Sequence, residues 1–260
     1  MRRLNGAIAF ALLTAACAAQ NPAAQRERVI GHALESTVQL FTERGEGVTR
    51  AGSGVLLTRE AGTDKMLVLT AGHLVQPPTE QTVYALSQDR TEHLPASILA
   101  VDPDRDLALV EVEGLDGDSV TLLPQANLGD RVWVVAFPWG RERTVVSGVV
   151  SQVDWIDPAA DERPPVGGPV RLIDASVSYG MSGGGIFSHE SGALIGLVRG
   201  YRSAELSFPG TQSGSLRLPV AGETTVISAP AIQCFLRKAG ATDDLAAALK
   251  PFAADASVSC

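Results

Sequence analysis

Residues 66–73 read Met66-Leu67-Val68-Leu69-Thr70-Ala71-Gly72-His73. A short apolar run with a branched member, closed by Ala-Gly, is the pattern of a buried strand that ends in a turn. Working outward, runs of the same kind recur at Thr37-Val38-Gln39-Leu40-Phe41 and Gly54-Val55-Leu56-Leu57-Thr58. Others follow at Leu107 to Val112, Val132 to Phe137, Thr144 to Val153, Gly185 to Phe187 and Ala193 to Val198. Many are bounded by Gly, Pro, Asn or Asp, and they are rich in the branched residues that suit a pleated surface. Helical periodicity is clear only in Pro230 to Lys238 and Asp243 to Lys250, with Pro230 suited to a helix N-terminus. The pattern predicts an all-β domain, a sandwich or barrel with terminal helices. The polar stretches 157–169 and 201–225 read as surface loops.

Composition narrows the classes. Of 260 residues 45% are hydrophobic, enough to fill one large or two small cores and to exclude general disorder. The 26 Gly and 15 Pro are scattered rather than periodic, which excludes collagen. A formal charge of −8, with no basic block outside the N-terminus, argues against a nucleic-acid partner. The cysteines at 17, 234 and 260 have no zinc spacing, and neither a metal nor a cofactor is expected.

The N-terminus reads as an export signal over residues 1–16: Met1-Arg2-Arg3, then the apolar run Ala7 to Leu13, then small residues. The run stops short of the ~20 residues a spanning helix needs, so no transmembrane segment is expected. Leu13-Thr14-Ala15-Ala16-Cys17 resembles the bacterial lipobox, although Thr14 stands where that pattern has Leu, Val or Ile. The resemblance implies a lipid anchor on Cys17 and a place in the bacterial cell envelope, periplasmic or at the outer membrane. Ordinary cleavage after Ala18 or Ala19, giving a soluble secreted protein, is the alternative. Residues 17–28 read as a flexible tether, 29–250 as the folded domain and 251–260 as a tail. With Cys17 lipidated, Cys234 and Cys260 remain for a disulfide, against the alternative of one buried thiol and one loose end.

Three local groupings carry chemistry: Thr70-Ala71-Gly72-His73, Asp106-Leu107-Ala108-Leu109-Val110 and Gly180-Met181-Ser182-Gly183-Gly184. Each alone has a dull reading, as a core histidine, a turn acid and a glycine-rich loop. Together they supply a hydroxyl nucleophile, an imidazole to take its proton, and a carboxylate to orient the imidazole. Glycines beside the Ser let backbone N–H groups face a developing oxyanion.

These three segments resemble the catalytic blocks of chymotrypsin-fold serine proteases, in that family's order, and are most similar to bacterial HtrA/Deg-like domains. Gly52-Ser53-Gly54, Asn127 to Val132, Phe137-Pro138-Trp139-Gly140 and Ser147 to Ser151 add to the likeness. The resemblance implies two Greek-key six-stranded β-barrels, about 34–125 and 126–230, followed by helices over about 230–250. The active site would lie in the cleft between the barrels. It implies His73 as base, Asp106 as its orienter, Ser182 as nucleophile, and the N–H groups of Gly180 and Ser182 as oxyanion donors. Ser176, six residues before the nucleophile, would form the base of the primary specificity pocket and favour apolar or small side chains. A protein or peptide is the implied substrate, and no PDZ domain is expected to follow. Leu74 replaces the Cys of vertebrate relatives. Met181 replaces the family's usual Asp or Asn; an Asp there can pair with a freed N-terminus and Met cannot, so activation of that type is not expected.

Two rivals fail on pattern. An α/β-hydrolase elbow at Ser182 needs the order Ser, acid, His, and His189 follows with no strand–helix unit between. A calcium loop from Asp102 through Glu113 lacks the Gly at its sixth position, which is Leu107. The remaining alternative is a catalytically silent binding or sensor module on the same fold.

Overall fold

The structure, a computed structural model, describes residues 21–78, 81–123, 126–155, 170–207 and 215–240. Twelve strands form two closed barrels. The first contains β1 (Thr37–Arg44), β2 (Val48–Arg59), β3 (Lys65–Ala71), β4 (Gln81–Leu86), β5 (His93–Asp102) and β6 (Leu107–Glu113), in the spatial order β1-β2-β3-β6-β5-β4. The second contains β7 (Arg131–Ala136), β8 (Thr144–Trp155), β9 (Val170–Asp174), β10 (Gly185–Ser188), β11 (Leu194–Ser207) and β12 (Ser215–Ser228). It repeats that order, as β7-β8-β9-β12-β11-β10. All pairings between these strands are antiparallel, and the jumps from β3 to β6 and from β9 to β12 make the Greek-key connections. Closure leaves no free sheet edge in either barrel.

The unbroken apolar run of β3 follows from burial on both faces. Met66 and Val68 fill the first barrel with Leu40, Leu56 and Val110. Leu67 and Leu69 face outward into a shared core with Leu107, Leu109, Val135, Phe187, Leu194 and Leu197. A strand with water on one face would alternate; this one has a second barrel on that face. Val132, Val134, Val150, Ile173, Ile186, Ile195 and Val226 fill the second barrel. Helix α2 (Ala229–Lys238) closes the shared core with Ile232, Phe235 and Leu236.

Three expectations need correction or restriction. The tether expected over 17–28 gives way at Pro22 to helix α1 (Pro22–Glu35), which packs against β1 and β7. Val29 and Ala33, one turn apart, are its buried residues, and Asn21 caps it by accepting from Ala23 N–H at 3.1 Å. The short buried stripe is offset by a polar remainder, which hid the period. The stretch 201–225 is not a loop: β11 and β12 extend through much of it as a long hairpin. The signal segment 1–16, Cys17, the second terminal helix expected over 243–250, the tail and Cys260 lie outside the described residues. Cys234 is buried on α2 and disulfide-bonded, and its partner lies outside them too. Among the described residues no helix is long and apolar enough to cross a membrane.

Candidate active site

His73 and Asp106 meet because β3 and β6 are paired neighbours. Ala71 ends β3 opposite Leu107, which begins β6, so the residues just beyond each lie at the same rim. Gly72 permits the approach: its N–H donates to Asp106 O at 2.8 Å. A Cβ there would sit 3.0 Å from the Asp106 carbonyl carbon and the Leu107 nitrogen. Asp106 itself takes φ 58°, the left-handed region, which costs a non-glycine residue about 1–2 kcal/mol. The turn is held from one side by Asp106 N–H donating to Pro103 O. Its carboxylate accepts from the His73 backbone N–H at 2.7 Å (Oδ1) and lies 2.9 Å from His73 Nδ1 (Oδ2). The Asp106 side chain is 11% exposed and that of His73 is 49% exposed. The carboxylate is thus sheltered while the ring reaches the cleft. With Nδ1 committed as donor to Asp106, Nε2 is left as the lone-pair nitrogen.

Asp102, at the start of the same turn, accepts from Arg105 Nη1 at 2.7 Å and from its backbone N–H. Burial pushes the Asp102 carboxyl up, but these bonds and the Arg105 charge outweigh it and hold it below the usual carboxylate value.

Ser182 belongs to the tight turn that enters β10. Gly183 N–H donates to Val198 O on β11, and Ser53 N–H on β2 donates to Ser182 O, at 2.8 and 2.9 Å. The nucleophile candidate is therefore tied to both barrels. Its Oγ–H donates to Arg199 O at 3.3 Å, not to His73. Ser182, His73 and Gly180 nonetheless line one cavity of about 380 Å³, with Arg50, Ala51, Leu74 and Tyr179.

The backbone before Ser182 is arranged to present N–H groups. Tyr179 O accepts from Trp139 N–H at 2.6 Å, and in a planar trans peptide the Gly180 N–H then points the opposite way. Neither Gly180 N–H nor Ser182 N–H has a backbone acceptor among the described residues. Gly180 takes φ 87°, and a Cβ would meet Phe137 O at 2.7 Å, so no other residue fits. Two side chains hold this arrangement. Ser53, fully buried, donates through Oγ to Gly180 O at 2.9 Å and accepts from Phe137 N–H at 3.0 Å. Met181 turns into the second barrel's core, and its Sδ accepts from Ser178 N–H at 3.2 Å.

Sequence reasoning missed several of these residues. Arg199 places Nε 3.4 Å from Asp106 Oδ2, a cation on the carboxylate that His73 uses. Its signal was only a charged residue directly after the apolar run Ala193 to Val198. Ser53 was noticed as part of a Gly-Ser-Gly likeness without its bridging role, and Arg50 carried no signal at all. Ser176 is exposed, on the segment between β9 and Gly180, and does not line the cavity at Ser182.

Residues 52–197 match the family model for the trypsin-like peptidase domain. Serine protease PepD of Mycobacterium tuberculosis is 28% identical over 226 residues, covering 82% of this chain and 47% of PepD. An HtrA-like serine protease of Staphylococcus aureus is 30% identical over 182 residues, covering 65% of this chain and 22% of that protein. The chain thus spans about half or less of these curated relatives. Among solved structures, an M. tuberculosis protease in its active form superposes with a TM-score of 0.65 at 22% identity, covering 85% of this chain and 88% of that one. The HtrA-type protease AlgW with a tripeptide gives 0.62 at 20% identity, covering 82% and 61%. These two likenesses are of fold. The matched segment runs from within β2 to within β11 and contains His73, Asp106 and Ser182, and on that match the chain belongs to the trypsin-like peptidase domain family.

Proposed function

We propose that this chain is an exported serine endopeptidase that cleaves peptide bonds through an acyl-enzyme. The observation that carries the reading is the double hold of Asp106 on His73, through Nδ1 and through the backbone N–H. It leaves Nε2 as a base beside Ser182 in a shared cavity. Rotation of the Ser182 hydroxyl from Arg199 O towards Nε2 starts the reaction. His73 takes the hydroxyl proton as Oγ attacks the carbonyl carbon, and Asp106 stabilises the imidazolium so formed. The oxyanion is received by the N–H groups of Gly180 and Ser182, which have no other backbone acceptor. Losing one such donor typically costs ~10²–10³ in kcat. His73 then protonates the leaving amine, and water repeats the sequence on the ester.

A fluorophosphonate probe tests this. It should label the wild type and not Ser182→Ala, with peptide hydrolysis lost in parallel; absence of labelling in both would sink the proposal. That outcome would favour the silent binding module, for which the Ser182–Arg199 bond is the supporting observation. Ser176 is retained as a contributor to the primary pocket, read out by the residue preferred before the scissile bond.

For location, the proposal is lipidation at Cys17, with Cys234 paired to Cys260. Several acyl chains, at ~0.8 kcal/mol per buried CH₂, would hold the protein firmly to a membrane. Cys17→Ser should abolish palmitate incorporation and release the protein, and peptide mapping of the non-reduced chain should recover residues 234 and 260 together. A 17–234 linkage would reject both.

A further inference from the structure

The cavity at Ser182 holds one cationic side chain, Arg50, on β2. The Arg50 side chain is exposed and makes no ion pair or hydrogen bond among the described residues. This contrasts with Arg59, Arg105 and Arg202, each paired to an acid. Leu74, buried, walls the cavity behind His73. Tyr179 forms its rim and contacts Trp139 with ring centroids 5.5 Å apart. Both rings are solvent-facing, at 47% and 64% exposure.

The cavity's place relative to the reaction fixes what it would receive. His73 must hand its proton to the leaving amine, so the leaving-group side of the substrate runs past the His73 ring and Leu74. On the proposed reading the acyl side is left to β11, whose Arg199 carbonyl accepts from Ser182 Oγ. No residue of β11 lines this cavity, and neither does Ser176. An unpaired guanidinium there presents a planar fork of donors that matches a carboxylate. The chain's net charge of −8 makes a local cation more discriminating, because the surface as a whole does not attract acids.

We propose that Arg50 makes the leaving-group side of the cleft a carboxylate subsite. It selects an acidic side chain one or two residues after the scissile bond, or the free carboxyl terminus of a chain cut near its end. The aromatic rim of Tyr179 and Trp139 packs the neighbouring side chain. The inference rests on the proposed peptidase reading, so its test has one arm that needs turnover and one that does not.

In the first arm, internally quenched peptides differ only by Glu, Gln or Lys at the first and second positions after the cut. A Gln peptide ending two residues after the bond is compared with its C-terminal amide. Glu, or the free terminus, should raise kcat/KM about 5–10-fold over its neutral match, mainly through KM, and the gain should fade at high salt. The two comparisons tell side chain from terminus, and a gain in either supports the subsite. Arg50→Ala should bring the ratio to about one, Arg50→Lys should keep part of it, and Arg50→Glu should turn the preference to Lys. In the second arm, Ser182→Ala binds fluorescent product-side peptides, and Glu over Gln should show the same dependence on Arg50. Equal rates and equal binding for charged and neutral peptides overturn the proposal, as does a Glu preference that survives Arg50→Ala. If no peptide is cut, the binding arm decides the subsite while the peptidase reading fails by itself.

Discussion

Ser53→Ala removes one hydroxyl that bridges the barrels and supports the turn proposed to receive the oxyanion. In the wild type that oxygen satisfies two buried backbone groups, Gly180 C=O at 2.9 Å and Phe137 N–H at 3.0 Å. The site is fully buried, so no solvent replaces the lost partner. Each orphaned group costs roughly 1–3 kcal/mol, so about 2–6 kcal/mol in sum is expected. For a domain of this size ~1 kcal/mol moves the melting midpoint by about 2–4 °C, so a fall of about 4–24 °C should follow. The catalytic effect is separate. Gly180 C=O and the N–H that precedes it belong to one residue, so release of the carbonyl loosens the oxyanion donor. A part of the ~10²–10³ attached to a whole donor, about 10–100-fold in kcat, is expected with KM little changed. Steady-state hydrolysis of a peptide anilide and thermal melting followed by circular dichroism measure both. Met66→Ala, which opens the first barrel's core at the end of β3 away from His73, supplies a variant destabilised by a similar ~2–5 kcal/mol. It should melt lower and keep its kcat. If Ser53→Ala melts lower with kcat within twofold of the wild type, Ser53 is only a packing residue and the reasoning is refuted.

Gly72→Ala should cost ~1–3 kcal/mol by overpacking, and should cut activity strongly, because the new methyl meets the backbone at Asp106 and Leu107. Melting and kinetics check both; wild-type turnover would contradict it. Met181→Ala should lose about 2–5 kcal/mol from the second barrel's core and slow fluorophosphonate labelling, since both the packing and the bond to Ser178 disappear. Asp102→Asn should destabilise the domain at neutral pH. The Asp102 carboxyl is held below its ordinary value, so its stabilisation is present above pH about 4 and fades as pH falls through the folded value. Urea melts at stepped pH should therefore show the gap between wild type and variant closing below about pH 4, and a constant gap would refute the assignment.

The sequence carried much of this because the informative features are local. Runs such as Met66 to Thr70 can be read as strands from composition and turn residues alone. The three segments around His73, Asp106 and Ser182 each hold their chemistry within five or so residues. The start of helix α1 read as a tether because only two buried positions, Val29 and Ala33, mark its face, too few to show a period. The long β11–β12 hairpin was missed because its outer half is polar, and a strand with little to bury has the composition of a loop.

By itself, then, the sequence determined the strand-rich class, the three chemical groups and their order along the chain. Only the tertiary structure decided what those groups touch. The pairing of β3 with β6 sets His73 on Asp106. The second barrel turns the outer face of β3 into core and brings Arg199 to the same carboxylate. It also brings Ser53 under the Gly180 turn and sets Arg50 beside Ser182. Such contacts join residues far apart in the chain, and their distances follow from barrel closure and packing between the barrels, which no window of neighbouring residues encodes.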